Sequence, residues 1–148
     1  MPEPCKRVQV VLVEDNETDA ELCIRALRKK NLANDLVWLK DGAQALDFIY
    51  CRGAYRDRDI ADKPSLILLD LRMPKVDGIE VLQELKGDKR MQTVPVIILT
   101  SSTENPDMEK CYRLGANSFV SKPVEFEAFA EAAAKIGMYW LLINQQPH

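Results

Sequence analysis

Short apolar runs recur along this chain, and their regular alternation with helical segments is the feature that most restricts its fold. Five runs of four to six residues lie at 8–13, 36–39, 66–69, 94–99 and 118–121. They are rich in aliphatic and β-branched side chains, as expected for strands that are covered on both faces. The segments between them have helical spacing, the first with Ala20, Cys23, Ile24 and Leu27 on one face. This alternation predicts an α/β fold with a doubly wound, parallel five-stranded sheet and right-handed crossovers.

The predicted helices carry their own start and stop signals. Asp41 and Gln44 have the spacing of a capping box at the start of the second helix. Asn105 and Pro106 supply an N-cap and a first-turn proline for the fourth helix, which we expect to stop at Gly115. A fifth helix is predicted from about residue 126 to 136, and the polar stretch 52–63 is predicted to be a surface loop.

Length and charge exclude several classes of protein. The 148 residues correspond to one domain, since domains typically have roughly 100 to 200 residues. The 20 basic and 23 acidic residues give a net charge of -3, and both signs are spread along the chain. There is therefore no basic field that would attract nucleic acid. No apolar run approaches the roughly 20 residues that span a bilayer, so we expect no membrane insertion.

The cysteines do not form a recognisable framework. Cys5, Cys23, Cys51 and Cys111 are far apart, and His148 is the only histidine. This spacing does not fit a zinc site. We therefore interpret the cysteines as reduced thiols, which predicts a cytoplasmic protein.

Side chains suited to chemistry follow four of the five predicted strands. Glu14 and Asp15 follow the first strand, Asp70 the third, Thr100 the fourth and Lys122 the fifth. In an open parallel sheet, ligands bind beyond the carboxyl ends of the strands. We therefore expect these five side chains to meet at one edge of the sheet.

Taken singly, most of these residues have ordinary explanations. Glu14 and Asp15 would serve as helix caps, Thr100 as a turn residue and Lys122 as a solvated surface charge. Asp70 is harder to explain in this way, because it directly follows an aliphatic strand and a carboxylate without a partner is costly there. The combination, in this order along the chain, favours a functional site.

The chemistry of such a site can be stated from the residue types. Three close carboxylates repel one another, and a hard divalent cation such as Mg²⁺ removes that repulsion. Because Mg²⁺ is often bound by one or two carboxylates together with phosphate oxygens, the site suits a phosphoryl group. A carboxylate such as Asp70 can act as the nucleophile and form an aspartyl-phosphate. Thr100 and Lys122 would then contact the remaining phosphoryl oxygens.

As a set, these residues resemble the receiver domain of two-component response regulators, over residues 8 to about 136. The resemblance is carried by Glu14-Asp15, Asp70 in DLRMPKVDG, Thr100-Ser101 and Lys122-Pro123. It implies a flavodoxin-like (βα)5 fold with strand order 2-1-3-4-5. It also implies phosphorelay signal transduction, in which Asp70 accepts a phosphoryl group from a sensor histidine kinase.

The resemblance implies roles for further residues. Mg²⁺ would be held by Asp15, Asp70 and the backbone carbonyl of Arg72, with Glu14 assisting through water. Thr100 and Phe119 would change position together on phosphorylation and switch a surface that binds a downstream protein target. The Lys122–Pro123 peptide would be cis.

The C-terminal region suggests a subgroup. Residues 137–148 (GMYWLLINQQPH) resemble the tail of single-domain regulators related to the phytochrome response regulators, which implies a phytochrome-like kinase as partner. We expect residues 1–148 to form one stand-alone receiver domain, with no output domain attached.

The consecutive apolar residues 139–143 exceed what one helix face can bury, so they either support a homodimer or fold back over the domain.

Other functions remain as alternatives. A phosphohydrolase of the haloacid dehalogenase type also uses an Asp nucleophile and Mg²⁺, but it has D-x-D after the first strand, where this chain has Glu14-Asp15-Asn16-Glu17. A cap domain would not fit in 148 residues. The phosphate-binding loops of flavodoxins and P-loop enzymes are absent. A pseudo-receiver that binds protein without being phosphorylated is the third alternative, which the intact site residues oppose. We therefore expect a switch rather than an enzyme, with only self-phosphorylation and self-dephosphorylation chemistry.

Overall fold

A parallel sheet organises the residues that the computed structural model describes, which are 9–31, 34–71, 77–100, 105–116 and 118–121. For residues 100, 105–108 and 118–121 the description is limited to the backbone. The sheet has five strands in the order β2-β1-β3-β4-β5, and all neighbouring pairs are parallel. The strands are β1 (Gln9–Val13), β2 (Asp35–Leu39), β3 (Leu66–Asp70), β4 (Val96–Thr100) and β5 (Ser118–Ser121). The predicted strand order is confirmed.

Helices alternate with these strands, as the sequence predicts. They are α1 (Glu17–Lys29), α2 (Gly42–Ile49), α3 (Gly78–Gly87) and α4 (Asn105–Leu114). The predicted fifth helix and the C-terminal extension lie outside the described residues. Within the described ranges, no helix has the length and apolar character needed to cross a membrane.

The central strands are buried on both faces. On one face, Val10 and Leu12 pack with Leu27 of α1. On the other face, Val11 and Val13 belong to the cluster that includes residues of α2, α3 and α4. All four valine and leucine side chains of β1 named here are fully buried. This explains why the strands appear in the sequence as continuous apolar runs rather than alternating ones.

Several local details differ from the expectations. The fourth strand begins at Val96 rather than at Val94, because the Val94 N–H donates to the Met91 carbonyl at 3.0 Å in the preceding turn and Pro95 has no N–H to donate. The fourth helix begins at Asn105, which we expected to precede it as the N-cap, and it ends before Gly115 as predicted, where φ is +106°. The predicted loop 52–63 contains a short 3-10 helix, Gly53–Tyr55.

The capping box at α2 is confirmed with one change. Asp41 Oδ1 accepts a hydrogen bond from the Gln44 N–H at 2.8 Å. In a capping box the Gln44 side chain would accept a hydrogen bond from the N–H of the cap residue Asp41. Here Gln44 Oε1 instead accepts from the N–H of the preceding residue, Lys40, at 3.0 Å. The pair therefore satisfies two backbone donors at the helix start, as a capping box does.

Candidate functional site

An acidic cluster lies where β1 and β3 end. These strands are adjacent, with Val13 paired to Leu69, so the residues that follow the pair emerge side by side. Carboxylate oxygens of Glu14, Asp15 and Asp70 all lie within 4.8 Å of one another. The structure therefore brings together the three carboxylates that the sequence predicts to meet.

The three carboxylates differ in burial. Glu14 is fully buried and Asp70 is 5% exposed, whereas Asp15 is exposed. Two carboxylates below the surface repel one another more strongly than two in water, because solvent screens them less. The exposed Asp15 leaves the cluster open to an incoming ion. A donor set made only of carboxylate oxygens fits a hard cation such as Mg²⁺ or Mn²⁺.

The backbone of Glu14 is held by β2, the neighbouring edge strand. Its N–H donates to the Leu39 carbonyl at 3.0 Å, and its carbonyl accepts a hydrogen bond from the Trp38 indole at 2.8 Å. Its carboxylate Oε1 also accepts a hydrogen bond from the Asn16 N–H at 3.1 Å. Glu14 is thus fixed through its backbone and its side chain.

The N-cap of α1 is Asn16, not either of the two acids before it. Asn16 Oδ1 accepts a hydrogen bond from the Asp19 N–H at 3.0 Å. Helix capping would have been the ordinary explanation for Glu14 and Asp15, but Asn16 has that role. This strengthens the functional interpretation of the acid pair.

Gly78 lets α3 begin directly against the backbone of Asp70. A Cβ at this position would lie 2.3 Å from the Asp70 carbonyl oxygen and 2.7 Å from Leu71 Cα. The Gly78 N–H donates to the Leu71 carbonyl at 2.9 Å. In the sequence this glycine stands out only as the end of DLRMPKVDG. The Asp77-Gly78 pair at a helix start was the available signal, and Asp77 is indeed the N-cap of α3.

The remaining predicted site residues can be located only in part. Thr100 is the last residue of β4, whose Leu99 pairs with Asp70, so its backbone lies at the same edge of the sheet as the acidic cluster. Phe119 lies in β5, where its backbone pairs with Ile98. The side chains of both residues are outside the description. Arg72, Lys122 and the Lys122–Pro123 peptide also lie outside the described residues.

A second feature lies away from the cluster, in a groove between α2 and the end of α3. Tyr50 lies there, and its hydroxyl donates to the Glu84 carbonyl at 3.3 Å. Burial and the nearby Asp88 carboxylate raise the pKa of Tyr50 to about 12. Arg90 donates to both oxygens of Asp88, at 3.2 and 2.9 Å, and lowers the pKa of that carboxyl to about 2. Acids and bases both line this groove, which gives it no clear preference for a ligand charge.

Comparison with known proteins gives consistent matches. The model of the response regulator receiver domain family matches residues 10–134. The solved structure of the bacteriophytochrome response regulator RtBRR is 43% identical and has a TM-score of 0.81, with 96% of this chain and 85% of that chain covered. The probable methanogenesis regulatory protein FilR2 of Methanothrix harundinacea is 39% identical over 139 residues, which cover 93% of this chain and 86% of FilR2.

A further relative bears on the metal. Response regulator Rcp1 of Synechocystis is 33% identical over 132 residues, or 89% of this chain and 88% of Rcp1. The solved structure of Rcp1 in its Mn²⁺-bound form has a TM-score of 0.75 and 32% identity, with 95% of this chain and 99% of that chain covered. A protein of this fold and similar sequence therefore takes a divalent cation.

Proposed function

The chain belongs to the response regulator receiver domain family, and on that premise we propose that Asp70 accepts a phosphoryl group from a sensor histidine kinase in the presence of Mg²⁺. The observation that carries this proposal is the cluster itself. Asp70 ends a fully buried strand, and its carboxylate lies within 4.8 Å of two others. Neither structural capping nor packing accounts for three acids at this point of the sheet.

The reaction moves one phosphoryl group between two side chains. A carboxylate oxygen of Asp70 attacks phosphorus, the bond between phosphorus and the kinase imidazole nitrogen breaks, and the leaving imidazole takes up a proton. The chain's own contribution is to hold the Asp70 carboxylate at the sheet edge and to orient the charged groups around the transferring group. Bound Mg²⁺ supplies the positive charge that offsets the carboxylates and the phosphoryl oxygens.

Each remaining site residue has a proposed role. Asp15, Asp70 and the Arg72 backbone carbonyl would hold Mg²⁺, and Glu14 would assist through water. The solved Mn²⁺-bound form of the similar protein Rcp1 supports the proposal that this chain also binds a divalent cation. The Thr100 hydroxyl and the Lys122 ammonium contact the phosphoryl oxygens, and movement of Thr100 is followed by Phe119.

Intact mass after incubation with Mg²⁺ and acetyl phosphate tests the acceptor. We expect the wild-type chain to gain one phosphoryl group and Asp70→Asn to gain none. Asp77→Asn is the matched control, since asparagine caps a helix as well as aspartate does and Asp77 lies outside the cluster. Lys122→Ala should keep metal binding but impair the response to phosphate. A phosphoryl adduct on Asp70→Asn, or none on the wild-type chain, would contradict the proposal.

Turnover of a generic phosphate ester, in place of acetyl phosphate, separates a switch from a hydrolase. A receiver takes one phosphoryl group and loses it slowly through its own dephosphorylation chemistry. A haloacid dehalogenase type phosphohydrolase would instead turn over a generic phosphate ester many times. Release of far more phosphate from that ester than protein present would favour the hydrolase.

The proposed kinase is phytochrome-like. The similarity to RtBRR, which is a bacteriophytochrome response regulator, supports this choice. The similarity to FilR2, a probable methanogenesis regulatory protein, is the reason for testing this choice of kinase directly. Transfer from a purified, phosphorylated bacteriophytochrome kinase should be faster than from an unrelated histidine kinase at equal concentration. Equal rates would contradict a phytochrome-like partner.

We also propose that residues 1–148 form one receiver domain, with its core at about 8–136 and a C-terminal extension at 137–148. The match over residues 10–134 supports the core limits. A cytoplasmic location is part of this proposal, because the cysteine spacing fits neither a zinc site nor a recognisable framework and is read as reduced thiols, which persist in that compartment.

The apolar extension is proposed to support a homodimer. Light scattering at micromolar protein should give a dimer mass for the full chain and a monomer mass after deletion of residues 139–148. Repeating the measurement with Mg²⁺ and beryllofluoride tests whether the phosphorylated form associates more strongly. A monomer mass for the full chain under both conditions would defeat the proposal.

A further inference from the structure

Trp38 reaches from the edge strand β2 to the backbone of the acid pair. Its indole N–H donates to the Glu14 carbonyl oxygen at 2.8 Å, across 24 positions of sequence. That carbonyl belongs to the peptide unit that joins Glu14 to Asp15. Since a peptide unit is planar, a hydrogen bond to its oxygen also restricts the orientation of the Asp15 backbone.

This contact continues the pairing of β1 and β2 beyond the last paired residues. Val13 pairs with Leu39, and the Glu14 N–H still donates to the Leu39 carbonyl at 3.0 Å. The Glu14 carbonyl then accepts from a side chain of β2, the Trp38 indole. Both backbone polar groups of Glu14 are thereby tied to one neighbouring strand.

Asp15 depends on this anchoring more than the other two carboxylates do. Glu14 and Asp70 are buried, so packing restricts their side chains, whereas Asp15 is exposed. The direction of an exposed short side chain is set mainly by its backbone. A shift of the Glu14–Asp15 peptide would therefore move the Asp15 carboxylate relative to the other two.

We propose that Trp38 is a positioning residue for the metal-binding carboxylates, and that its indole N–H reports whether a cation is bound. The inference rests on the proposed function, because it assumes that the cluster binds a divalent cation. Partners that orient metal ligands affect metal affinity even though they do not touch the ion.

Metal affinity in paired variants is the first test. Trp38→Phe keeps a large ring on β2 but removes the N–H donor. It should weaken Mn²⁺ binding by about 10-fold, the low end of the effect of losing a group that orients metal ligands. Leu36→Val is the matched control, because Leu36 lies two residues earlier on the same face of β2 and packs against the same core cluster as Trp38. It should lower stability without changing the Mn²⁺ dissociation constant.

The NMR signal of the Trp38 indole N–H provides the second test. In this test, metal is added only to the wild-type chain. The chain has two tryptophans, so a ¹H–¹⁵N spectrum contains two indole signals, and Trp140→Phe, which removes the other signal, identifies the one that belongs to Trp38. Titration of the wild-type chain with diamagnetic Mg²⁺ should shift that signal along a curve with the same dissociation constant as metal binding.

The outcomes separate this inference from the proposed function. Failure of the wild-type chain to bind Mn²⁺ or Mg²⁺ would overturn both. If the wild-type chain binds but Trp38→Phe binds equally well, or Leu36→Val weakens binding as much, only the role of Trp38 is wrong. If Trp38→Phe does not fold, the titration still decides, since an indole signal that stays fixed while Mg²⁺ binds would overturn the inference.

Discussion

Substitution of Gly78 by alanine should destabilise the protein and disturb the acidic cluster at the same time. The three atoms nearest to the added Cβ would all be backbone, at 2.3 Å for the Asp70 carbonyl oxygen, 2.7 Å for Leu71 Cα and 3.0 Å for the Asp70 carbonyl carbon. Ordinary van der Waals contact begins at about 3.4 Å, so the start of α3 must move by about 1 Å relative to β3. Because these three atoms belong to the backbone, a change of side-chain rotamer does not relieve the clash.

The strand cannot easily move instead of the helix. β3 is hydrogen-bonded on both sides, with Leu69 paired to Val13 and Asp70 to Leu99. The helix must therefore shift, which strains the hydrogen bond from the Gly78 N–H to the Leu71 carbonyl. Overpacking costs about 1 to 3 kcal/mol and a lost hydrogen bond about 1 kcal/mol. We expect the free energy of unfolding to fall by about 2 to 4 kcal/mol.

A second glycine of the same helix provides the control. Gly87 ends α3, and a Cβ there would have no neighbour within 4 Å. Gly87→Ala should therefore be neutral or raise the free energy of unfolding by up to about 1 kcal/mol, since alanine restricts the unfolded chain. Urea unfolding followed by circular dichroism measures both variants against the wild-type chain.

Metal binding gives the second measurement for this pair of variants. Because the clash is with the backbone of Asp70, Gly78→Ala should also weaken Mn²⁺ binding, whereas Gly87→Ala should leave it unchanged. Gly78→Ala could instead have the same urea midpoint and the same Mn²⁺ dissociation constant as the wild-type chain. In that case, the close approach of α3 to the end of β3 does not constrain this site.

Two further predictions follow from groups outside the cluster. Lys86 is half-buried, and its ammonium donates to the carbonyls of Gln92 at 3.0 Å and Val94 at 2.9 Å. Lys86→Met keeps the apolar stem but removes both bonds, so urea unfolding should show a loss of about 1 to 3 kcal/mol, and an unchanged midpoint would refute a stabilising role. The pKa of Tyr50 is raised from 10.0 to about 12, so between these pH values the folded chain binds more protons than the unfolded chain. The free energy of unfolding should therefore fall as pH rises from 10 to 12, and the fall should be smaller in Tyr50→Phe; an equal fall in the variant would contradict the raised pKa.

The strands and helices could be predicted from sequence because their signals are local. Continuous apolar runs, helical spacing and turn residues all act within a few positions, and the structure confirms the four described helices to within a few residues. The acidic cluster was predictable for a related reason. Parallel strands end at one edge of the sheet, so polar residues that directly follow neighbouring strands must emerge there together.

The contacts that hold the site in shape depend on strand order and register, which a local pattern does not contain. Sequence alone left open whether Glu14 and Asp15 cap α1, and the structure gives that role to Asn16. It gave no sign that Trp38, 24 residues away, would donate to the Glu14 carbonyl. It also gave no measure of how closely Gly78 approaches Asp70. These contacts join segments far apart in the chain, so they exist only once β2, β1 and β3 lie side by side and the helix after β3 packs back against the sheet.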